Sequence, residues 1–296
     1  MISRRTFLKE SMGAAVAAAT MSNSLRLDAE TLPLPLGLQL YSLREYLPKD
    51  WDGTLHQIGA LGYREVEAAG FFGHTAAQVK QSMTSAGLKC VSAHYPYAQL
   101  AAGLDDILHF GQELGLQYII CSSPGLRQPV EAHRPHPPLT LDDWRWNAEQ
   151  FNSFGEKVKS AGMQFGYHNH VTEFRAENGM LPYDELLRLT DPAKVTLELD
   201  CGWMTVGGQN PVQYLTKYPH RFSMLHVKDF NRNQPVTSTP PPAPTELGRG
   251  SIDYRPIFRA AVKAHIRHCF VEQEGFDVPP WESLKIDADY IRNLKF

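Results

Sequence analysis

Ionisable and hydroxyl side chains close a series of short apolar runs along this chain of 296 residues. In order they are Tyr41, Glu67, His94, the pair Ser122 and Ser123, the triplet His168-Asn169-His170, Glu198 with Asp200, His226 with Lys228, and Glu272 with Glu274. Burying a charged group beside apolar neighbours is costly unless it is paired or binds something. Residues two apart on an extended segment share a face. His168 and His170 therefore point the same way, as do Glu198 and Asp200, His226 and Lys228, and Glu272 and Glu274. One member of each pair can reach a common centre. Imidazoles and carboxylates without sulfur suit an open site for Mn, Zn, Co or Fe, whereas structural zinc favours thiolates. Any one of these residues alone is a rim hydrogen-bonder; their recurrence at successive run ends points to a metal centre.

The elements that must position these residues repeat along the chain. Apolar strands are expected near 37–42, 65–67, 90–94, 118–122, 165–170, 195–200, 223–227 and 268–273. Helices are expected near 52–61, 75–86, 104–114, 141–161, 183–189, 211–217, 253–264 and 281–294. At four joints a helix runs into glycine, at Gly62, Gly87, Gly115 and Gly162, just before the next strand. Glycine there supplies the left-handed cap that turns the chain back. Eight strands alternating with helices make an α/β protein, a (β/α)8 TIM barrel in a single domain over 30–296. A doubly wound sheet is the competitor, but no Gly-rich dinucleotide or P-loop fingerprint follows an early strand. The polar residues fall at C-terminal strand ends, where barrel enzymes build their sites.

Several runs carry a family likeness: Gly37-Leu-Gln-Leu-Tyr-Ser, Gly62-Tyr-Arg-Glu-Val-Glu, Tyr167-His-Asn-His, Leu199-Asp-Cys-Gly-Trp, Leu225-His-Val-Lys-Asp, Leu247-Gly-Arg-Gly-Ser-Ile-Asp and Phe270-Val-Glu-Gln-Glu. Over most of 36–294 the chain resembles the xylose isomerase-like TIM barrel superfamily, the sugar phosphate isomerases/epimerases. The resemblance implies one divalent metal ion (Mn, Zn, Co, Fe or Mg) held by Glu, Asp, His and Glu at the ends of the fifth to eighth strands. It places the Asp at Asp200, the His at His226 and the last Glu at Glu272, with Glu274 as the weaker choice. The fifth-strand Glu falls near Gly166, so His168 becomes the fourth ligand, with His170 and Glu173 as rivals. A substrate-contacting arginine falls on Arg232. Tyr41, Glu67, His94, His170 and Trp203 are the other expected substrate-binding residues.

In the family two metal-bound glutamates remove and return a proton beside a carbonyl. Here Glu272 is one; the second acid/base would be His168, His170 or Lys228. Histidine titrates near neutrality, and lysine can stabilise an oxyanion by charge. The leading expectation is a sugar isomerase or epimerase. The alternatives are a lyase, hydratase or glycoside-cleaving enzyme acting on a keto-sugar at the same site, or a non-catalytic exported sugar-binding protein.

Composition narrows the field. At 43% hydrophobic and 21% charged residues the chain is globular, and a net charge of -3 without a basic run past the N-terminus argues against a nucleic-acid partner. Ser3-Arg-Arg-Thr-Phe-Leu-Lys followed by the alanine-rich 12–21 reads as a twin-arginine signal peptide over 1–29. Export by the Tat machinery to the periplasm or beyond follows, with no membrane span after cleavage; an oligomer is allowed. Cys90, Cys121, Cys201 and Cys269 form no CxxC pair and are expected as buried free thiols. Loop 124–139, with His133 and His136, is a candidate lid or sugar-stacking wall. The Pro-rich 234–245 reads as stiff and structural, and Gly248-Arg249-Gly250 as a weak phosphate-cradle motif.

Overall fold

The computed structural model describes residues 31–128 and 138–296. The expected signal segment, and His133 and His136 of the expected lid, lie outside these residues. The strands are β1 Leu36–Gln39, β2 Glu65–Ala68, β3 Lys89–Pro96, β4 Tyr118–Ser123, β5 Gln164–His168, β6 Val195–Asp200, β7 Phe222–Val227, β8 Asp229–Phe230, β9 Pro244–Thr245 and β10 His268–Val271. β1 to β7 and β10 close into a barrel in which every neighbouring pair is parallel. β8 and β9 form a separate antiparallel pair, which fixes the end of the Pro-rich segment.

The helices are α1 Trp51–Ala60, α2 Ala76–Ser85, α3 Tyr97–Leu114, α4 Leu141–Ser160, α5 Pro182–Leu189, α6 Cys201–Val206, α7 Pro211–Lys217, α8 Tyr254–Lys263 and α9 Pro280–Asn293. The joint glycines Gly62, Gly87, Gly115 and Gly162 have φ of 88°, 68°, 88° and 83°, the left-handed geometry that favours glycine.

Three departures from the sequence reading bear on function. The first strand stops at Gln39 because its side chain accepts a hydrogen bond from the Tyr41 amide (3.0 Å) and turns the chain into a 3-10 turn over Leu40–Leu43. The fifth strand ends at His168, so His170 belongs to the loop. Third, α6 follows β6 directly, its first turn capped by the Asp200 carboxylate, which accepts from Trp203 N at 2.7 Å.

The barrel interior is layered. Val91, Tyr118, Ile120, Met224 and Phe270 form an apolar plug separate from the larger core between strands and helices. Burying each large member stabilises the fold by roughly 2–3 kcal/mol. Gly37 and Gly166 make room for it: a Cβ at Gly166 would lie 2.6 Å from Ile120 Cδ1, and one at Gly37 2.5 Å from Phe270 Cδ1. Toward the N-terminal strand ends, Glu65 and His268 pair at 2.7 Å. Toward the C-terminal ends the interior is ionisable.

Candidate functional site

Two tiers of ionisable side chains stand on the plug. The pattern behind them is alternation: Glu198 and Asp200 both face inward, as do His226 with Lys228 and Glu272 with Glu274, each pair supplying one residue per tier or two to the upper. The sequence reading allowed one member of each pair to reach the centre. In the structure both members of these three pairs do, at different depths, because an extended segment rises about 6 to 7 Å over two residues, whereas His170 belongs to the loop after β5.

The lower tier is Glu67, His94 and Glu198. Glu67 Oε1 accepts from Gln39 Nε2 (2.7 Å) and lies 2.7 Å from both His94 Nε2 and His226 Nε2. Its other oxygen accepts from Ser92 Oγ at 2.5 Å. Glu198 Oε2 lies 2.7 Å from His94 Nε2, 3.0 Å from His168 Nδ1 and 3.3 Å from His226 Nε2. Glu198 Oε1 is buried without a hydrogen-bond partner among the described residues.

The upper tier holds the expected metal ligands. One donor atom each from His168, Asp200, His226 and Glu272 lies within 4.8 Å of all the others. His168 Nε2 is 3.8 Å from Asp200 Oδ2, and His226 Nδ1 is 3.2 Å from Glu272 Oε2. Lys228 Nζ, buried, lies 2.9 Å from Asp200 Oδ2, 2.6 Å from Glu272 Oε2 and 2.5 Å from Glu274 Oε1. Gly202 admits the lysine stem: a Cβ there would sit 2.3 Å from Lys228 Cγ. Two imidazoles and two carboxylates converging from β5, β6, β7 and the end of β10 match the donor set of an open divalent site. A second group, His94, His168, Glu198 and His226, overlaps the first and lies deeper.

Electrostatics follow this arrangement. Burial keeps the His168 imidazole neutral, well below its ordinary pKa, and the neighbouring His226 charge adds to the effect. Burial would do the same to His226 and His94. For His226, Glu198 and the hydrogen bonds to Glu272 and Glu67 reverse it and lift the ring well above its usual value. For His94, Glu67 and Glu198 lift it to about 9. Burial outweighs Lys228 at Asp200 and pushes that carboxyl up. Glu272, although buried, is held well below the carboxylate range by Lys228 and His226.

A cavity of about 390 Å³ opens above both tiers, lined by Tyr41, His94, His168, His170, Glu272 and Glu274, with Ser122, Ser123 and Gln99 among its neutral wall. Tyr41, 44% exposed, stands at the rim with the Arg44 guanidinium 4.5 Å from its ring centre. Of the other expected substrate contacts, His94 and His170 line the cavity. Glu67 lies beneath it, because Gln39, Ser92 and two histidines enclose its carboxylate. Trp203 stands behind Glu274, donating Nε1–H to Glu274 Oε1 (3.0 Å), with Lys228 Nζ 5.2 Å from its ring centre. Arg232 is turned to the Gly248 and Gly250 carbonyls. The Gly-Arg-Gly turn has no free cradle, since Asp229 already accepts from the amides of Gly248 and Gly250 (both 3.2 Å) and Ile252 (3.0 Å).

The His-Asn-His motif divides its labour. His168 faces inward, Asn169 staples the end of β5 to Asp200 N (3.0 Å), and His170 meets the cavity. Glu173, a rival ligand on sequence grounds, points away from the barrel mouth to Tyr167 (2.6 Å) and the His170 amide (2.8 Å). Glu198, Gln39 and Ser92 are the residues whose part the sequence reading did not assign; the i, i+2 spacing of Glu198 to Asp200 was the one available signal. All four cysteines are free and buried, as expected.

Comparison with known proteins agrees with this fold. A family model described as "Xylose isomerase-like TIM barrel" matches residues 55–294. Inosose dehydratase of Lacticaseibacillus casei is 24% identical over 253 residues, 77% of this chain and 79% of that protein. A sugar phosphate isomerase/epimerase from Parabacteroides distasonis superposes with a TM-score of 0.70 at 26% identity, covering 87% of this chain and 93% of the other. The zinc-bound IolI protein shares the fold alone, at 12% identity and a TM-score of 0.67 over 86% of this chain and 96% of the other. On the extent of that family match and the closed barrel beneath it, the chain belongs to the xylose isomerase-like TIM barrel family.

Proposed function

We propose that the protein is a metal-dependent enzyme that removes a proton from the carbon beside a carbonyl in a keto-sugar or keto-polyol and expels a hydroxyl from the next carbon, a dehydratase-type elimination. The observation that carries this reading is the four-donor group, two of whose members, His168 and Glu272, line the cavity, with Lys228 and Glu274 directly beside it. When bound, a divalent ion polarises the carbonyl and stabilises negative charge on its oxygen. His168, Asp200, His226 and Glu272 would hold it. Lys228, buried among three carboxylates, donates to oxygen as charge develops there. Glu274 faces the cavity, oriented by Lys228 and by Trp203, and takes the carbon-bound proton or passes it to the departing hydroxyl.

Elimination moves ahead of the expected isomerisation for a structural reason. Epimerisation requires acid/base groups on both faces of the reacting carbon. The β5 glutamate that supplies one of them in the family falls near Gly166 here, and the neighbouring His168 is a neutral ring committed to the ligand group. Lys228 and Glu274 both stand on the β7–β10 side. The likeness to inosose dehydratases supports the same reading. Isomerisation or epimerisation is the second reading, favoured by His170, which lines the same cavity as Glu272, and by the sugar phosphate isomerase/epimerase likeness.

The deciding experiment incubates metal-loaded protein with a panel of keto-sugars and inososes in deuterated water and follows products by NMR. Elimination yields a dehydrated product; epimerisation yields an inverted centre carrying deuterium; exchange at no carbon-bound position rejects both. The proposal extends to location: Arg4 and Arg5 direct twin-arginine export, and replacing both by lysine should retain the protein in the cytoplasm.

A further inference from the structure

The two histidines of the ligand group meet it through different ring nitrogens, and the lower tier explains why. A carboxylate only accepts hydrogen bonds, so once Asp200 and Glu272 are engaged as ligands, a ring nitrogen held against a carboxylate outside the ligand group carries the hydrogen. His168 turns Nδ1 to Glu198 Oε2 (3.0 Å), leaving Nε2 facing Asp200. His226 is reversed: Nε2 lies 2.7 Å from Glu67 Oε1 and 3.3 Å from Glu198 Oε2, and Nδ1 lies 3.2 Å from Glu272 Oε2, a fellow member of the ligand group. We propose that Glu198, seconded by Glu67, is a positioning residue that fixes opposite tautomers in the two ligand histidines, so that His168 binds the metal through Nε2 and His226 through Nδ1. The inference rests on the upper tier being the metal site.

The arrangement is built rather than incidental. Glu198 on β6 and Glu67 on β2, opposite strands of the barrel, are fully buried, and neither lines the cavity. One oxygen of Glu198 serves both ligand rings and His94 at once, which fixes the three ring planes against each other: His168 and His226 have centroids 4.5 Å apart, and His94 stacks on His226 at 5.4 Å. Outer carboxylates of this kind orient metal-binding imidazoles, and their loss weakens metal binding 10- to 100-fold. The same geometry tells the two overlapping ligand groups apart. In the deeper group the metal would have to take His168 Nδ1 and His226 Nε2, the atoms that here face Glu198.

The test is long-range 1H–15N NMR of the imidazoles in the zinc-loaded wild-type protein. Hydrogen on Nδ1 of His168 and on Nε2 of His226 is the expected result. Zinc bound with the reverse pair overturns this inference and moves the metal to the deeper group, while leaving a metal enzyme in place. A wild-type protein that takes up no zinc overturns both. Glu198→Gln, whose amide can donate as well as accept, should weaken zinc 10- to 100-fold and shift the visible absorption of the cobalt-loaded protein; Glu67→Gln should disturb the His226 and His94 signals and spare those of His168. Unchanged zinc affinity and cobalt spectrum in a folded Glu198→Gln protein would also reject the role.

Discussion

Both mouths of this barrel bury a histidine against a glutamate, and only one of them looks like a site. At the N-terminal mouth Glu65 and His268 form a single pair at 2.7 Å, with Tyr118 edge-on to the ring and Phe270 stacked near it. One imidazole meets one carboxylate and nothing is left over. At the C-terminal mouth Glu67, Glu198, Asp200, Glu272 and Glu274 crowd around three imidazoles and one lysine. Carboxylates in that excess repel one another at low dielectric and gain from a further cation. What separates a structural pair from a centre is therefore the balance of charge, not the presence of a buried ion pair.

The sharpest way to break the comparison is to remove carboxylates from the crowded mouth. Asp200→Asn and Glu272→Gln should each lose the bound divalent ion and lower kcat/KM by about 10³-fold or more, since a bound metal contributes several kcal/mol to the transition state. Metal analysis of the purified variants beside the wild type checks this. Full metal content in both would return the upper tier to the status of the lower mouth, a set of structural pairs.

Most of this architecture could be read in advance, and the reasons are local. Strand and helix positions came from apolar runs ended by glycine, because a left-handed cap is a chemical requirement of the turn. Asp200, His226 and Glu272 came from strand-end spacing and a family likeness. Depth did not. Whether Glu67 or Glu198 meets substrate or lies under His94 depends on how strands stagger around the barrel, and the register shifts between Leu197 and Glu198 and between Val66 and Glu67 have no sequence mark. The same holds for Arg232, which the β8–β9 pair turns toward the Gly248 and Gly250 carbonyls.

The next effect concerns the cation already present. Lys228→Met should cost about 10²-fold in kcat, roughly 3 kcal/mol, by removing a donor to the developing oxyanion. The same change frees Asp200 and Glu272 from their ammonium, so divalent-ion affinity should rise, not fall. Equilibrium metal titration beside steady-state kinetics separates the two effects; a fall in both would mean that Lys228 merely holds the mouth together.

At the opposite mouth Glu65→Gln should behave as a structural change only. Replacing the partner of a buried histidine costs about 2 kcal/mol of stability, read from urea unfolding, with metal content and kcat/KM unchanged. Altered kinetics would show that the plug transmits strain between the mouths.

The smallest predicted effect uses a third environment, a buried carboxylate with no cation paired to it. Asp287 on α9 accepts from Leu247 N (2.7 Å), while its other oxygen is buried without a hydrogen-bond partner among the described residues. Burial first, then the charges of Glu246 and Asp229 against the opposing Leu247 amide, lift its pKa to about 7. An unfolded Asp titrates near 4, so between about pH 4 and 7 the folded chain binds more protons than the unfolded one, and stability falls as pH rises. Asp287→Asn removes that titration. Urea unfolding at pH 5 and pH 7 should therefore show the wild type losing about 1–2 kcal/mol more than the variant over that interval. Parallel pH profiles would mean that Asp287 is charged in the folded protein, and that a counter-charge like that of Lys228 at the crowded mouth also reaches the outer helix layer.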